Sequence, residues 1–225
     1  MFLVEGRKMV TEALASDFPV ETILCDAAQA ATYASLLSQG EAALLPAHVL
    51  AAVCDTKTPQ GIAAVVRMGA IAHLGKRLVA LDGVQDPGNV GTILRTADCA
   101  GMEGLLLSEQ CADIFSPKVL RATMGSIFRM PVEVTADLPG RLYALREQGY
   151  SVLSSQLDGT PFYQRRGVGE RYVLVVGNEG NGVSHQVQQL ATHRLRLPMR
   201  GGAESLNAAV AAGIMMYELT RELGE

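Results

Sequence analysis

The sequence is short of the features that usually announce a function. It has no excess of basic charge: 19 Lys and Arg stand against 23 Asp and Glu, a formal net charge of -4. A protein coated in positive surface is therefore excluded. Local contact with nucleic acid is not, because phosphates need only a basic patch. The four cysteines, at 25, 54, 99 and 111, include no CxxC pair. Reduced, structural thiols are expected rather than a zinc knuckle or a disulfide framework. The four histidines are scattered and form no HExxH, so no metal is expected. No apolar run reaches membrane-spanning length. The start, Met-Phe-Leu-Val-Glu-Gly, lacks the basic region and apolar run of a signal peptide, so a cytoplasmic protein is expected. Neither GxGxxG nor GxxxxGK[ST] occurs, which disfavours a Rossmann-type NAD site and a P-loop.

What the chain does have is core: 48% of its 225 residues are hydrophobic and 19% charged. Apolar runs alternate with helical patterns. Strands are predicted at 2–4, 22–25, 42–45 and 62–67, with helices at 8–15, 28–37 and 47–53 between them. A second series has strands at 77–81, 104–107, 132–134, 150–154, 172–176 and 194–197. Its helices fall at 90–100, 117–124, 138–148, 183–190 and 204–223. The fold class is α/β, and nearly all-apolar strands alternating with helices predict parallel sheets covered on both faces. Met68–Lys76 carries two glycines and separates the series. The expected domains are 1–70, a linker at 71–76, and 77–225.

Three segments carry chemistry. In the first, a buried strand runs into Asp86-Pro87-Gly88-Asn89, a turn sequence with Asn89 as a good N-cap. Val90, Ile93, Leu94 and Ala97 then form one apolar stripe, and Arg95 lies off it, able to reach the strand ends where α/β sheets bind ligands. A purely structural reading has Asn89 only capping and Arg95 only pairing with Asp98. In the second, an apolar strand empties into Gly177-Asn178-Glu179-Gly180-Asn181-Gly182, a loop that brings backbone groups close to a ligand. Glu179 is its only charge, and the plain alternative is a carboxylate favoured by the following helix N-terminus. In the third, Leu197-Pro198-Met199 leads through Gly201-Gly202 to Ser205-Leu206-Asn207. A helix apolar on almost every side follows, which must be buried in the core or in a subunit interface. Structurally, Ser205 would be its N-cap and Asn207 a locally bonded side chain.

Together the three resemble the SpoU (TrmH) family of SPOUT methyltransferases. Asn89 with Arg95 six residues on, Gly177-Asn178-Glu179-Gly180, and Leu197-Pro198-Met199 with Ser205-Leu206-Asn207 match the family's motifs in order, over about 77 to 223. The N-terminal module resembles an L30e-like substrate-binding domain through Phe2–Gly6 and Thr56–Gly61. The resemblance implies a trefoil-knotted domain, a homodimer with the site at its interface, and transfer of methyl from S-adenosylmethionine to an RNA ribose 2′-hydroxyl. It implies Arg95 at the acceptor hydroxyl, with Asn89, Glu179, Ser205 and Asn207 ordering the pocket. Gly177, Asn178, Glu179, Gly180, Leu197, Met199, Ser205 and Leu206 would hold the methyl donor. Arginine is a poor base alone, so the family proposal lets the RNA phosphate help Arg95, and the blander one has Arg95 stabilise charge. The L30e-like module favours ribosomal RNA over tRNA as acceptor. A non-catalytic RNA-binding module is the competing class. Arg121, Arg129, Arg165, Arg166, Arg194, Arg196 and Arg200 are the candidates for a basic patch, and Lys57, Arg121, Arg129, Arg165 and Arg166 are those for an RNA track.

Overall fold

The structure is a computed structural model that describes residues 1–69 and 73–221. The expected linker lies partly outside the described residues, as does the end of the last predicted helix. The chain forms two compact units, Met1–Ala70 with Phe115–Arg129, and Ile71–Ile114 with Met130–Glu225.

The first unit contains β1 (Phe2–Glu5), α1 (Arg7–Leu14), β2 (Val20–Asp26), α2 (Ala34–Leu37), β3 (Ala42–Leu45), α3 (Ala47–Val53) and β4 (Ile62–Val66). Its sheet has the order β1-β4-β2-β3. Only β2 and β3 are parallel; β4 runs antiparallel to both β1 and β2. The expectation of a parallel sheet is thus corrected here. Strand content was legible, but direction is decided by long-range pairing that apolar runs do not encode. The predicted helix at 28–37 is a 3-10 turn, Ala27–Gln29, followed by the one-turn α2. Asp26 accepts from the Ala28 N–H and opens that turn.

One segment from within the second strand–helix series belongs to this unit. The helix at Pro117–Thr123 and the 3-10 turn after it pack on the first unit, although the sequence order suggested the second domain. Four phenylalanines make the contact: Phe115 lies tilted against Phe2 with ring centroids 4.6 Å apart, and Phe18 meets both Phe2 and Phe128 edge-on. Aromatic pairs of this kind contribute roughly 0.5–1.5 kcal/mol each beyond their burial.

The second unit is built on β5 (Arg77–Asp82), α4 (Pro87–Cys99), β6 (Leu105–Ser108), β7 (Val132–Thr135), α6 (Leu138–Glu147), β8 (Ser151–Pro161), β9 (Tyr172–Gly177), α7 (His185–Leu190), β10 (His193–Arg196) and α8 (Ala208–Thr220), with α5 the Pro117–Thr123 helix already placed. Its six strands are all parallel, in the order β10-β8-β9-β5-β6-β7. Leu78 to Leu81 and Val173 to Val175 are fully buried, as a sheet covered on both faces requires. Leu138, Leu142 and Leu145 of α6 and Val187 of α7 pack with Leu78, Ala80, Val173 and Val175. α4 packs against α8, which also meets β9. Each such aliphatic side chain contributes about 1.5–3 kcal/mol through burial. The strand predicted at 150–154 extends to Pro161, and β10 pairs with both of its ends across a register shift between Arg194 and Leu195. Gly159 allows the close approach, since a Cβ there would stand 2.6 Å from the Arg194 backbone.

Candidate functional site

Three loops leave the C-terminal ends of β5, β9 and β10, where open parallel sheets place their ligands. The first begins at Gly83, whose φ of 69° suits a residue without Cβ. The Ser108 hydroxyl accepts from its N–H at 3.0 Å. α4 then starts one turn earlier than expected. Asp86 is its N-cap, accepting from the Asn89 N–H at 2.8 Å, and Pro87 takes the first helical position, which needs no N–H. The expectation that Asn89 caps this helix is therefore corrected. With Asp86 in that role, the Asn89 side chain is released for other partners.

Those partners join all three loops. Asn89 is buried, 9% exposed, and its Nδ2 donates to Glu179 Oε1 at 2.8 Å. Its Oδ1 accepts from Asn207 Nδ2 at 2.9 Å. The Asn207 Oδ1 in turn accepts from the N–H groups of Ala209 and Val210, making Asn207 the N-cap of α8. The cap expected of Ser205 belongs two residues on, and Ser205 itself is exposed. Glu179 also accepts from the N–H groups of Gln85 and Asp86, at 3.3 Å each. Burial by itself would push its carboxyl up. The Asn89 amide and the backbone donors, those of Gln85 and Asp86 among them, outweigh that and hold it below the usual glutamate range. The charge is thus held by the loop before α4, and no bond from the start of α7 contributes.

The second loop is closed on itself. Asn178 and Gly182 exchange backbone hydrogen bonds at 3.0 and 2.9 Å. Asn178 Oδ1 accepts from the N–H groups of Gly180 and Asn181, and its Nδ2 donates to the Gly83 carbonyl at 2.8 Å. Gly177 is packed so tightly that a Cβ would collide with the backbone of Gly182 and Val183. Asp82 ties the end of the loop down by accepting from the Ser184 N–H at 2.7 Å.

The third loop is the opposite. Among the described residues, the peptide groups of 197–206 have no hydrogen-bond partner. Leu197, Pro198, Met199, Leu206 and Ile214 line a cavity of about 240 Å³ beside it, closed at one side by Tyr163. Apolar walls with free backbone donors and acceptors suit a flat heterocycle carrying polar edges. Added Cβ atoms at Gly201 and Gly202 would meet nothing within 4 Å. These features fit the adenosyl and methionyl parts of S-adenosylmethionine. No group of three or more His, Cys, Asp or Glu suited to a metal ion occurs among the described residues.

Arg95 is exposed on α4 and forms no ion pair among the described residues, with Asp98 or otherwise. It stands outside the Glu179–Asn89–Asn207 chain. The arginines read from the sequence as a basic patch are differently engaged. Arg121 pairs with Asp55 at 2.8 Å, and Arg129 pairs with Glu12. Arg165 lies over the Phe162 ring and beside Glu218, and Arg196 donates to the Gly159 carbonyl. Arg166, Arg194 and Arg200 are exposed. Sequence reasoning missed Asp82, Gln85 and Asp86. Asp86 preceding a proline at the strand–helix junction was the signal for a capped helix start. The helix read as buried in the core or in a subunit interface shows an outer face within the single chain: Val210, Ile214 and Tyr217 of α8 are 51%, 38% and 55% exposed.

Comparison with known proteins agrees with this geometry. Residues 76–217 match the SpoU rRNA Methylase family, and residues 1–64 match the MRM3-like substrate binding domain. The 23S rRNA (guanosine(2553)-2′-O)-methyltransferase RlmP of Bacillus subtilis is 40% identical over 97% of this chain and 88% of its own length. The SpoU methyltransferase AviRb of Streptomyces viridochromogenes, solved in complex with the cofactor AdoMet, superposes with a TM-score of 0.88. It is 28% identical over 99% of this chain and 90% of that one. An AdoMet-bound rRNA methyltransferase from Sinorhizobium meliloti gives a TM-score of 0.85 at 32% identity, over 100% of this chain and 88% of that one. Among the described residues no helix is long and apolar enough to cross a membrane.

Proposed function

The chain belongs to the SpoU rRNA methylase family, and on that premise we propose that it methylates a ribose 2′-hydroxyl of ribosomal RNA in the cytoplasm, as a homodimer. It is an S-adenosylmethionine-dependent RNA 2′-O-methyltransferase. The single observation that best supports the reading is the Glu179–Asn89–Asn207 chain, which ties the three loops together beside a segment whose backbone is free.

When bound, S-adenosylmethionine supplies an electrophilic methyl on a sulfonium and a neutral leaving group. The backbone of Leu197 to Leu206 would hold it, with Gly177, Asn178 and Gly180 shaping the neighbouring wall and Leu197, Met199 and Leu206 lining the apolar side. In this reading the loops after β9 and β10 form a trefoil knot. Asn89, Glu179 and Asn207 order those loops, and Ser205 stands at their open edge. Arg95 is the residue at the acceptor: an exposed guanidinium with no ion pair among the described residues is available to an RNA phosphate and to charge developing on the 2′-oxygen. Holding acceptor and donor in line supplies the rest. The outer face of α8, with Leu206, Val210, Ile214 and Tyr217 exposed, supports a second copy of the chain covering it.

Radiolabelled methyl transfer to unmethylated ribosomal RNA tests the reading. Arg95→Ala is expected to lower turnover by about 100-fold or more. Recovery in Arg95→Lys would assign a simple charge role; full activity in Arg95→Ala would remove Arg95 from the mechanism. Transfer to tRNA but not ribosomal RNA would move the acceptor, and RNA binding with no transfer at all would favour a non-catalytic module. Ile214→Glu should turn a dimer into a monomer by light scattering, and a wild-type monomer would end the dimer reading.

A further inference from the structure

The first unit is uneven in charge. From Met9 to Thr56 it carries no lysine or arginine. Six carboxylates fall in that stretch, and three of them are paired: Glu12 with Arg129, Glu21 with Arg67 at 2.6 Å, and Asp55 with Arg121. Asp17, Asp26 and Glu41 have no ion pair among the described residues. Inside this acidic stretch, Ala42 to Cys54 holds no Asp, Glu, Lys or Arg at all. It forms β3 and α3, and most of it is bare. Leu44 is 55% exposed and Val53 48%, and Leu50 is the single buried residue of α3. An apolar strand and helix left open in this way mark a surface that a partner covers.

β3 is also the last strand of its sheet. The Ile23 N–H donates to the Glu41 carbonyl at 2.8 Å, so residues 41, 43 and 45 turn their peptide groups toward β2. Those of Ala42 and Leu44 then point away from the sheet, where no described strand pairs with them. Native edges are commonly blunted by lysine, and β3 has none. Side chains alternate in the same way. Ala42 and Leu44 share one face, and both are exposed. Glu41, one residue before the strand, belongs to the other face, as does Asp26, the register partner of Leu45. Asp26 uses one oxygen to accept from the Ala28 N–H at 3.1 Å, which leaves the other open. The edge thus offers unpaired peptide groups between an apolar face and an acidic one.

We propose that this edge receives a protein segment as a fifth strand of the first sheet, a segment that alternates apolar side chains with lysine or arginine. Its apolar side chains lie against Leu44, and its cations face Glu41 and Asp26. Main-chain bonds to Ala42 and Leu44 give the affinity common to strand additions, and the alternation selects the partner. Charge argues against two other occupants. RNA would bring phosphates to a surface without a cation. A second copy adding its own β3 in antiparallel fashion would bring Glu41 of each copy to the Asp26 end of the other, carboxylate toward carboxylate. The methyl-transfer loops belong to the second unit, so this site stands apart from them.

The test uses the full chain and a short fluorescent peptide of alternating valine and lysine, with binding read by anisotropy and by amide hydrogen exchange. Binding should weaken as salt rises and should slow exchange at Ala42 and Leu44, the outward amides. A peptide with glutamate in place of lysine, and a valine–lysine peptide N-methylated along its backbone, should each lose about tenfold in affinity or more. The double variant Glu41→Lys, Leu44→Lys, at two exposed positions, should abolish binding. Its melting temperature and its kcat on protein-free 23S ribosomal RNA should remain those of the wild type. Equal binding of the lysine and glutamate peptides, or undiminished binding of the N-methylated one, overturns the proposal, as does a wild type that binds none of them. Slowed exchange at Ala42 and Leu44 on adding ribosomal RNA alone would give the edge to RNA. Slowing with protein concentration, abolished by Leu44→Lys, would give it to a second copy. Either result overturns the protein-segment site and leaves the proposed function standing.

Discussion

The loop Gly177–Gly182 and the segment Leu197–Leu206 look alike in sequence: each follows a strand of one sheet, and each carries glycines. In the structure they are opposites. The first spends its polar groups on itself and on the loop before α4, through Asn178, Gly182 and Glu179. The second has no such bonds among the described residues across ten residues and lies along an apolar cavity. Glycine serves different physics in the two. At Gly177 it permits contact between backbones; at Gly201 and Gly202 it leaves room. One loop is a finished scaffold, and the other is completed by what it binds.

The largest expected effect follows from Gly177. A Cβ there meets backbone on the facing strand of its own loop, which cannot rotate away as a side chain does. Gly177→Ala should cost about 3 kcal/mol or more, seen as a fall of roughly 10 °C in the melting temperature. Methyl transfer should be lost with it. A melting curve like the wild type's would mean that the first loop is as open as the second.

Glu179 comes next. Its carboxylate receives two donors from the loop before α4 and a third from Asn89 on α4, whereas an amide offers one oxygen to them and turns its NH2 toward the rest. Glu179→Gln should cost about 1–2 kcal/mol. The sign of the pH dependence follows from a folded carboxyl held below its unfolded value of about 4.3. Its contribution is complete above that value and is lost as pH falls through the folded one. Acid unfolding should therefore be steeper below about pH 5 in the wild type than in Glu179→Gln. Equal slopes would show that the charge does not matter to the loop.

How much of this was readable in advance divides along the same line. The centre of the second sheet was legible because β5, β6 and β9 are buried on both faces and so are largely apolar, as in Val173 to Val176. The motif residues Asn89, Glu179 and Asn207 were legible as a set. Their bonding was not, because it depends on one capping residue: once Asp86 caps α4, Asn89 is free to bridge the other two. The first sheet's strand directions, and the docking of 115–129 on Phe2 and Phe18, are long-range outcomes with no local signature. The outer face of α8 was legible only as needing cover, from the core or from a subunit interface, for a related reason. A helix apolar all round says that every side is covered, not by what, and within one chain Val210, Ile214 and Tyr217 are bare.

The smallest effect is the sharpest test of the open segment. Gly201→Ala adds a methyl where no atom stands within 4 Å and where φ is not in the left-handed region. Stability without ligand should stay within about 0.5 kcal/mol of the wild type. The same methyl borders the cavity formed by Leu197, Met199 and Leu206, so the Kd for S-adenosylmethionine should rise severalfold while the melting curve does not move. Hydrogen exchange separates the two loops without mutation. Amides of 199–206 should exchange rapidly alone and be protected by S-adenosylmethionine, because the ligand provides the partners that the fold leaves out. Amides of Asn178, Gly180, Asn181 and Gly182 already have partners and should be slow in both states. Protection of 199–206 before ligand is added would mean that the segment is satisfied by the fold itself, and the distinction between scaffold and binding loop would fail at that point.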